Sequence, residues 1–214
     1  MKLSDIKEAL KQGEIKKVAE LTKAAIDAKT PVGTILDTLI TGMDEIGKKF
    51  KNNEIFIPEV LISAKAMHAG LSILEPLFSK SGIRPVGKIA IGTVKGDLHD
   101  IGKNLVAMMF RGAGFEVLDL GIDVPAEKFI DTAKRKDVNI IAMSSLLTTS
   151  MGSMKAVINE LKKEGFIGKV KTMVGGAPVT EEFAGNIGAD GYAKDASSAV
   201  DKARELIGLR RRSD

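Results

Sequence analysis

The sequence predicts an α/β protein, in which an N-terminal four-helix bundle precedes a Rossmann-like (flavodoxin-like), doubly wound parallel sheet of five strands. Up to about residue 80, apolar residues recur at intervals of three and four, which is the period of an amphipathic helix. Beyond residue 86, short apolar runs alternate with helical segments, as in a parallel sheet covered by helices on both faces. A polar segment with Gly and Pro, 79–85, separates the two patterns. We therefore expect two domains, at 1–82 and 86–209.

Local start signals predict four helices in the first domain. Ser4 is expected to cap the first helix, and a second helix extends to about residue 29. Thr30 and Pro31 provide an N-cap and a first helical residue for the third helix, and Pro58 opens the fourth. The third helix carries one apolar stripe, formed by Val32, Ile35, Leu36, Leu39, Ile40, Met43, Ile46 and Phe50.

The second domain is predicted to alternate strands and helices. The strands are expected at 88–94, 115–120, 139–146, 171–175 and 191–193. The helices are expected at 101–112, 125–136, 152–164, 180–187 and 197–207. Sheets of this type bind ligands at the carboxyl ends of their strands, beside the point where the strand order reverses. The loop after the first strand is therefore the first place to search for a functional site.

Composition excludes several classes of site. The 214 residues include no cysteine, so disulfides, thiolate metal sites and a cysteine nucleophile are excluded. The net charge is +4, but charges of both signs are interleaved and aromatic residues make up only 4%, which argues against nucleic-acid binding. The first ten residues lack the apolar run of a signal peptide, and polar residues interrupt the apolar stretch at 138–154. We expect a cytoplasmic protein with no membrane span.

The first loop of the second domain, 92–104, reads GTVKGDLHDIGKN. Its glycines do not have the G-x-G-x-x-G spacing of a dinucleotide fingerprint. A P-loop needs four residues between its glycines, whereas five residues separate Gly96 from Gly102, and no Ser or Thr follows Lys103. Both phosphate-binding interpretations therefore fail. The chemical groups that remain in the loop are those of Asp97, His99 and Asp100.

The local sequence around His99 allows two interpretations. A histidine that binds a metal usually donates its other ring N–H to a carboxylate, and Asp97 is near enough in sequence to accept it. In the alternative, His99 is an ordinary loop residue, and Asp97 or Asp100 caps the helix that follows. The chain's other histidine, His68, lies on a predicted bundle helix with no second ligand spaced beside it. A single histidine ligand suits a metal that is already held by a macrocycle.

Three separated motifs resemble the cobalamin-binding signature of methionine synthase and of the corrinoid methyltransferase proteins. They are Asp97-x-His99-x-x-Gly102, Ser144-x-Leu146 and Gly175-Gly176. The resemblance implies a base-off corrinoid cofactor, in which His99 replaces the cofactor's own base as the lower axial ligand of cobalt. It also implies that Asp97 holds the far ring nitrogen of His99 and that Ser150 hydrogen-bonds Asp97. These three residues are the expected catalytic set, and the first domain corresponds to a helical cap.

The resemblance also implies which positions contact the cofactor. In the first loop these are Gly96, Asp97, Leu98, His99, Asp100, Ile101 and Gly102. Along the channel for the nucleotide tail they are Ser144, Thr148, Gly175, Gly176, Ala177, Tyr192 and Ala196, and Leu146 of the Ser144-x-Leu146 motif is a further contact. In the cap they are Phe50, Ile57 and Val60. One cap position departs from the family, because Leu36 stands where methionine synthase has a glutamate that contacts the cofactor.

The function implied by the resemblance is that of a methyl carrier that is not catalytic alone. A substrate:corrinoid methyltransferase is expected to place a methyl group from a methylamine, methanol or a methoxylated aromatic compound on the cobalt. A second methyltransferase then passes it to a thiol or a tetrahydrofolate-type acceptor, and a reductive activator is a third expected partner. The alternatives are a cobalamin-dependent sensor without methyl transfer, the cofactor subunit of a mutase, and a receiver-like protein without a corrinoid.

Overall fold

The computed structural model describes residues 2–209, apart from the side chains at positions 79 and 80, and nine helices and five strands lie in this range. These residues form two compact units. The first comprises the chain through Val86 together with Arg111–Gly114. The second comprises Gly87–Phe110 and the chain from Phe115 onward.

Four helices build the first unit: α1 (Leu3–Lys11), α2 (Ile15–Asp27), α3 (Val32–Lys51) and α4 (Ile57–Ser81). Their apolar faces meet in a core, whose buried side chains include Ile6, Leu10, Ile35, Met67 and Leu74. The helix α4 packs against both α2 and α3. At Gly70 of α4, a β-carbon would lie 2.9 Å from Leu39 and 3.3 Å from Val18, so this glycine permits the close approach of the three helices.

Three of the predicted helix starts are wrong by one or two positions, since α4 also begins at Ile57, one residue before Pro58. The helix α1 begins before Ser4, which lies inside the first turn, and Asp5 accepts a hydrogen bond from the Lys2 N–H at 3.1 Å. A carboxylate at the third helical position reaches back to this N–H, which a serine at the second position does not. The helix α3 begins after Pro31, which has the extended ψ of a cap residue, so Pro31 rather than Thr30 is the N-cap.

The helix α4 is the longest of the first unit. By length and composition alone, Ile57–Phe78 resembles a membrane span, but the core helix of a soluble bundle has the same properties. Three of its apolar side chains, Val60, Met67 and Leu74, are buried. The helix ends at Gly82, which adopts the left-handed conformation typical of a helix end. Residues 79–81 of the predicted linker are therefore helical instead.

A five-stranded parallel sheet with the order β2-β1-β3-β4-β5 forms the second unit. Its strands are β1 (Lys88–Val94), β2 (Glu116–Val124), β3 (Ile140–Ser144), β4 (Lys171–Gly175) and β5 (Gly191–Ala193). Its helices are α5 (Ile101–Gly112), α6 (Ala126–Lys136), α7 (Met151–Lys163), α8 (Glu181–Ile187) and α9 (Ala196–Leu206). The predicted fold class is confirmed. Because β1 lies between β2 and β3, the strand order reverses there, and the loops after β1 and β3 meet at one edge of the sheet.

The strand β2 is longer than predicted, since it continues through Gly121 to Val124. Its register against β1 shifts twice. The paired residues are Ile91 with Asp119, Gly92 with Gly121, and Val94 with Val124. Gly121 and Asp123 have left-handed backbone conformations, with φ of 92° and 50°. Irregular pairing of this kind is typical of bulges beside functional sites, and here it brings the end of β2 to the loop after β1.

Candidate functional site

Asp97 joins the loop after β1 to the turn after β3. Its side chain is fully buried. Its Oδ2 atom accepts hydrogen bonds from the N–H groups of Leu146 at 2.6 Å and Leu147 at 3.2 Å. Successive main-chain N–H groups that point at one oxygen form a concave site for an anion. Asp97 therefore fixes the two loops to each other at the point where the strand order reverses.

His99 is held by its main chain on both sides. Its N–H donates to Asp97 Oδ1 at 3.0 Å, and its carbonyl accepts from the buried Thr93 hydroxyl at 2.8 Å. Its ring atom Nδ1 lies 2.7 Å from the same Asp97 oxygen, while 53% of the side chain is exposed. The imidazole is thus held at Nδ1 by Asp97, while about half of its surface is open to solvent.

The charge of Asp97 decides which ring nitrogen of His99 carries hydrogen. Burial raises the pKa of the Asp97 carboxyl, but hydrogen bonds from His99 N–H, Leu146 N–H, the His99 ring and Leu147 N–H outweigh it and hold that pKa well below its ordinary value of 3.8. An ionised carboxylate only accepts hydrogen bonds, so Nδ1 must donate. In the neutral imidazole, Nε2 then has the free lone pair, which makes it the atom available to a metal.

Two buried serines, Ser145 and Ser150, complete the surroundings of Asp97. Their hydroxyl oxygens lie 2.7 Å apart, and each lies 3.0 Å from the Leu147 carbonyl. The distances to Asp97 Oδ2 are longer, 3.3 Å from Ser150 and 3.4 Å from Ser145. The predicted contact of Ser150 with Asp97 is therefore present but long. The two hydroxyl hydrogens are shared among three acceptors: the Leu147 carbonyl, Asp97 Oδ2 and the oxygen of the other serine. The Leu146 N–H, at 2.6 Å, therefore holds Oδ2 more firmly than either serine does.

Gly175 and Gly176 lie against the main chains of neighbouring segments. A β-carbon at Gly175 would lie 2.9 Å from the Ala193 carbonyl oxygen, and one at Gly176 would overlap the carbonyl group of Ser145. Gly176 also has a φ of 131°, a conformation that residues with a β-carbon rarely adopt. Because Gly176 has no side chain, the turn that contains Ser145 can lie close against it. This turn carries the N–H groups that bind Asp97, so Gly176 also has a role in the structure without any cofactor. The role of both glycines beside a nucleotide tail stays a prediction.

Large apolar side chains are exposed on the segments next to His99 in the sheet unit. They lie in the loop after β1, near the end of β2, in the turn after β3 and at the first position of α5, and they are Leu98, Ile101, Ile122, Leu146 and Leu147. Ile101 alone is 78% exposed. Apart from its chain neighbours and the backbone of its own helix, no described atom lies within 4 Å of the position that a β-carbon at Gly102 would take. Exposed apolar patches around a polar centre mark ligand sites, and this one suits a broad apolar ring.

The metal chemistry of the site follows from its ligand count. Among the described residues, no group of three or more His, Cys, Asp or Glu side chains is arranged to hold a metal ion. A conventional zinc site needs three or four protein ligands. One lone pair on His99 Nε2 instead suits a metal whose other ligands come from a macrocycle. The exposed apolar side chains around the imidazole are consistent with such a group.

Asp100 and His68 have local roles in helices. The Asp100 carboxylate accepts a hydrogen bond from the Asn104 side chain at 2.9 Å, and its carbonyl accepts one from the Asn104 N–H at 2.7 Å. Asp100 therefore precedes α5, and its carboxylate bonds the Asn104 side chain, so the proposed capping of this helix by an aspartate stays a prediction. His68 is exposed on α4, and its main-chain carbonyl accepts from the Ser72 hydroxyl.

The other predicted contact residues divide between the two units. At the carboxyl ends of β3 and β4, the same edge of the sheet as His99, lie Ser144, Leu146, Thr148, Gly175, Gly176 and Ala177. Tyr192 is half-buried in β5, and Ala196 is buried at the start of α9. In the helical unit, Val60 is buried, Phe50 is half-buried and Ile57 is exposed. Contacts of these three with a cofactor stay a prediction.

Three side chains near the site escaped the sequence prediction. Ser145 follows Ser144, the last residue of β3, and two adjacent hydroxyl residues at the end of a strand were the signal that could have found it. Thr93 is a polar residue near the end of β1, a strand that is apolar after its first residue, Lys88, and this is a weaker signal. In the sequence, Lys103 stands out only as a possible phosphate-binding lysine. In the structure it is a buried cation paired with Asp119.

Comparisons with known proteins extend over both units. Residues 87–201 and, separately, residues 3–75 match families described as B12 binding domains. A corrinoid protein of Desulfitobacterium hafniense (strain Y51) is 42% identical over 96% of this chain and 97% of its own length. A dimethylamine corrinoid protein of Methanosarcina barkeri is 44% identical over 96% of this chain and 95% of its own. The solved methanol:cobalamin methyltransferase complex MtaBC of M. barkeri contains a chain with a TM-score of 0.85 and 32% identity, covering 96% of this chain and 79% of that one.

Proposed function

Because this chain belongs to the family of B12-binding corrinoid proteins, we propose that it carries a methyl group between two methyltransferases. The predicted family resemblance is confirmed, and the receiver-like alternative without a corrinoid is wrong. Support for the carrier role comes from relatives named for dimethylamine and from a structural neighbour solved within a methanol:cobalamin methyltransferase complex. A bound corrinoid would supply the cobalt centre that accepts and releases the methyl group.

The observation that carries this proposal is the way in which hydrogen bonds orient the His99 ring and leave it exposed. Its Nδ1–H is held by an ionised Asp97, its main chain is fixed at N–H and carbonyl, and its ring is half exposed. We infer that His99 Nε2 would hold the cobalt of a bound corrinoid, in place of the cofactor's own base. Asp97 would orient the ring through Nδ1–H, so that the Nε2 lone pair is available to the metal. The Ser145 and Ser150 hydroxyls lie within 3.4 Å of Asp97 Oδ2 and would stabilise the charge of the carboxylate.

The other residues at this edge would bind and orient the macrocycle. The exposed apolar side chains, Leu98, Ile101, Leu146 and Leu147, would contact the macrocycle and keep water away from the metal that it holds. The open space at Gly102 allows a planar group to approach the start of α5. Small residues at the ends of β3 and β4 leave room for the displaced nucleotide tail, which is the role proposed for Ser144, Thr148, Gly175, Gly176 and Ala177.

The partners follow from the carrier role. We propose a substrate:corrinoid methyltransferase that uses a methylamine, methanol or a methoxylated aromatic compound as the donor. A second methyltransferase would use a thiol or a tetrahydrofolate-type acceptor. A reductive activator would reduce cobalt that has become oxidised. All of these act in the cytoplasm in this proposal.

Cofactor loading tests the histidine ligand. The purified chain is incubated with hydroxocobalamin, and the visible spectrum and the amount retained after gel filtration are measured. We expect His99→Ala to change the spectrum and to lower retention, because the lower ligand is lost. His68→Ala is the matched control, since that histidine is exposed on α4, and it should behave as the wild type does. An unchanged spectrum in His99→Ala would refute the ligand assignment.

Reconstitution tests methyl transfer. The loaded and reduced chain is mixed with candidate substrate methyltransferases and, in turn, a methylamine, methanol and a methoxylated aromatic donor. The carrier role predicts methylation of the corrinoid by one of these pairs, seen as a change in the visible spectrum. A chain that binds the corrinoid through His99 but accepts a methyl group from no pair would favour the sensor alternative instead.

A further inference from the structure

The end of β2 holds the His99 loop on both sides of the histidine. Before it, the Asp123 carboxylate accepts a hydrogen bond from the Gly96 N–H at 2.8 Å, and the Asp123 N–H donates to the Asp97 carbonyl at 3.0 Å. After it, Lys103 in the first turn of α5 donates to both carboxylate oxygens of Asp119, each at 2.6 Å. The segment that carries His99 is thus bound to β2 at two points, one before and one after the histidine.

The contact between Lys103 and Asp119 is an unusual one, because the Lys103 side chain is only 3% exposed. A buried ammonium is costly unless a carboxylate pairs with it, and removal of one partner leaves the other charge uncompensated. The Gly121 N–H also donates to Asp119 Oδ1 at 2.9 Å, which fixes the direction of the carboxylate. The start of α5 is therefore located against β2 by a rigid ion pair.

The irregular end of β2 is what makes both contacts possible. The register shifts against β1 put extra residues between Asp119 and Val124. The positive φ values at Gly121 and Asp123 turn the strand so that the carboxylates of Asp119 and Asp123 both reach the loop. Asp is among the residue types that tolerate this conformation. In a regular strand these two carboxylates would lie on the same face of the sheet. The main chain would not turn at Gly121, however, and they would not both reach the loop.

We propose that Asp119 and Asp123 are positioning residues, which act through Lys103 and Gly96 to set how completely His99 coordinates cobalt. Neither residue touches the metal. Asp97 and Thr93 fix the orientation of the histidine within its loop, whereas the two contacts with β2 fix the loop to the sheet. This inference rests on the proposed function, since it assumes that His99 is the lower ligand.

The probe is aquocobinamide, a corrinoid without a nucleotide base, so that a nitrogen on its cobalt comes from the protein. Two quantities are measured for each variant: the dissociation constant of aquocobinamide, and the nitrogen superhyperfine splitting in the EPR spectrum of the reduced cobalt(II) form. Asp123→Gly keeps the left-handed conformation and removes the acceptor, whereas Asp123→Asn keeps an acceptor oxygen. We expect Asp123→Gly to lose nitrogen splitting and about tenfold in affinity, and Asp123→Asn to resemble the wild type.

The ion pair is tested with Lys103→Met and Asp119→Asn in the same two measurements. Both are expected to lower the histidine-coordinated fraction. Asp190→Asn is the matched control, because Asp190 also accepts from a lysine, Lys171, and from a main-chain N–H, but before β5 at the amino end of the sheet. It should lower the thermal midpoint without changing the EPR spectrum. Should Lys103→Met fail to fold, the exposed Asp123 still provides the comparison.

The outcomes separate this inference from the proposed function. A wild-type protein that shows no nitrogen splitting would overturn the histidine assignment itself. A wild-type protein with full splitting, together with an Asp123→Gly variant that keeps it, would overturn the positioning role alone. Equal loss of splitting in Asp190→Asn would also overturn it, because the effect would then be general destabilisation of the sheet.

Discussion

At the scale of single residues, the site depends on one buried carboxylate. Asp97 accepts hydrogen bonds at both oxygens, from main-chain donors on two loops and from the His99 ring. The motif predicted the pairing of Asp97 with His99, because an aspartate and a histidine are visible in a sequence. The N–H groups of Leu146 and Leu147 were not predictable in the same way, since a main-chain donor is available at almost any residue type. Only the fold shows which ones point at the carboxylate.

Replacement of Asp97 by Asn tests this arrangement. The amide has the same shape but presents an NH₂ group to donors on one side, so that at least one buried donor loses its acceptor. We expect the free energy of unfolding of the corrinoid-free protein to fall by about 1–3 kcal/mol, measured by urea denaturation. Asp100→Asn is the control, because that exposed carboxylate bonds only locally, and its effect should stay within about 0.5 kcal/mol. Equal effects of the two changes would contradict the central role of Asp97.

Gly176 allows a second test at the same scale. A methyl group there would overlap the Ser145 carbonyl, and the φ of 131° is unfavourable for alanine. We expect Gly176→Ala to lower the free energy of unfolding by about 1–3 kcal/mol or more, measured by chemical denaturation. Gly152→Ala is the control, since Gly152 lies in α7 with no atom near its β-carbon position, and alanine should stabilise that helix by up to about 1 kcal/mol. A neutral Gly176→Ala would show that the turn can move away.

At the scale of elements, the sequence predicted the alternation of strands and helices because apolar periodicity is a local property. It failed at the end of β2, where the prediction stopped before Gly121 and the strand continues to Val124. Glycine usually ends a strand, but here it provides the left-handed turn of a bulge. The pairing of Lys103 with Asp119 lies across this irregular segment, so no periodic pattern could have predicted it.

One carboxylate with two lysine partners also joins two helices of the helical unit. Glu45 of α3 lies 2.8 Å from both Lys7 and Lys11 of α1. Hydrogen bonds from Lys11 and then Lys7 lower the pKa of Glu45 below its ordinary value of 4.5, against a smaller opposing effect of burial. A lowered pKa means that the folded state binds its proton more weakly than the unfolded state does. The stabilisation is therefore complete above the ordinary pKa and is lost as the pH falls through the lower, folded value.

Glu45→Gln measures this contribution. At pH 7 we expect the variant to be less stable by under about 1 kcal/mol, because all three side chains are partly exposed and solvent screens them. The difference between variant and wild type should shrink as the pH is lowered below 4.5, the ordinary pKa of glutamate. Glu160→Gln, which removes an ion pair within α7 alone, is expected to have a smaller effect at pH 7. A difference for Glu45 that grows toward acid pH would contradict the sign of the pKa shift.

At the scale of the whole molecule, both units match families of B12 binding domains, over residues 3–75 and 87–201, so we expect a corrinoid to stabilise the fold. A ligand that binds only the folded chain raises its free energy of unfolding with the logarithm of the ligand concentration divided by the dissociation constant. At a free corrinoid concentration 100 times that constant, we expect the free energy of unfolding to rise by about 2.7 kcal/mol. His99→Ala, if it weakens binding tenfold, should be stabilised by about 1.3 kcal/mol less at the same concentration. Unfolding followed by circular dichroism with and without hydroxocobalamin gives both values, and equal stabilisation of wild type and His99→Ala would mean that His99 contributes nothing to binding.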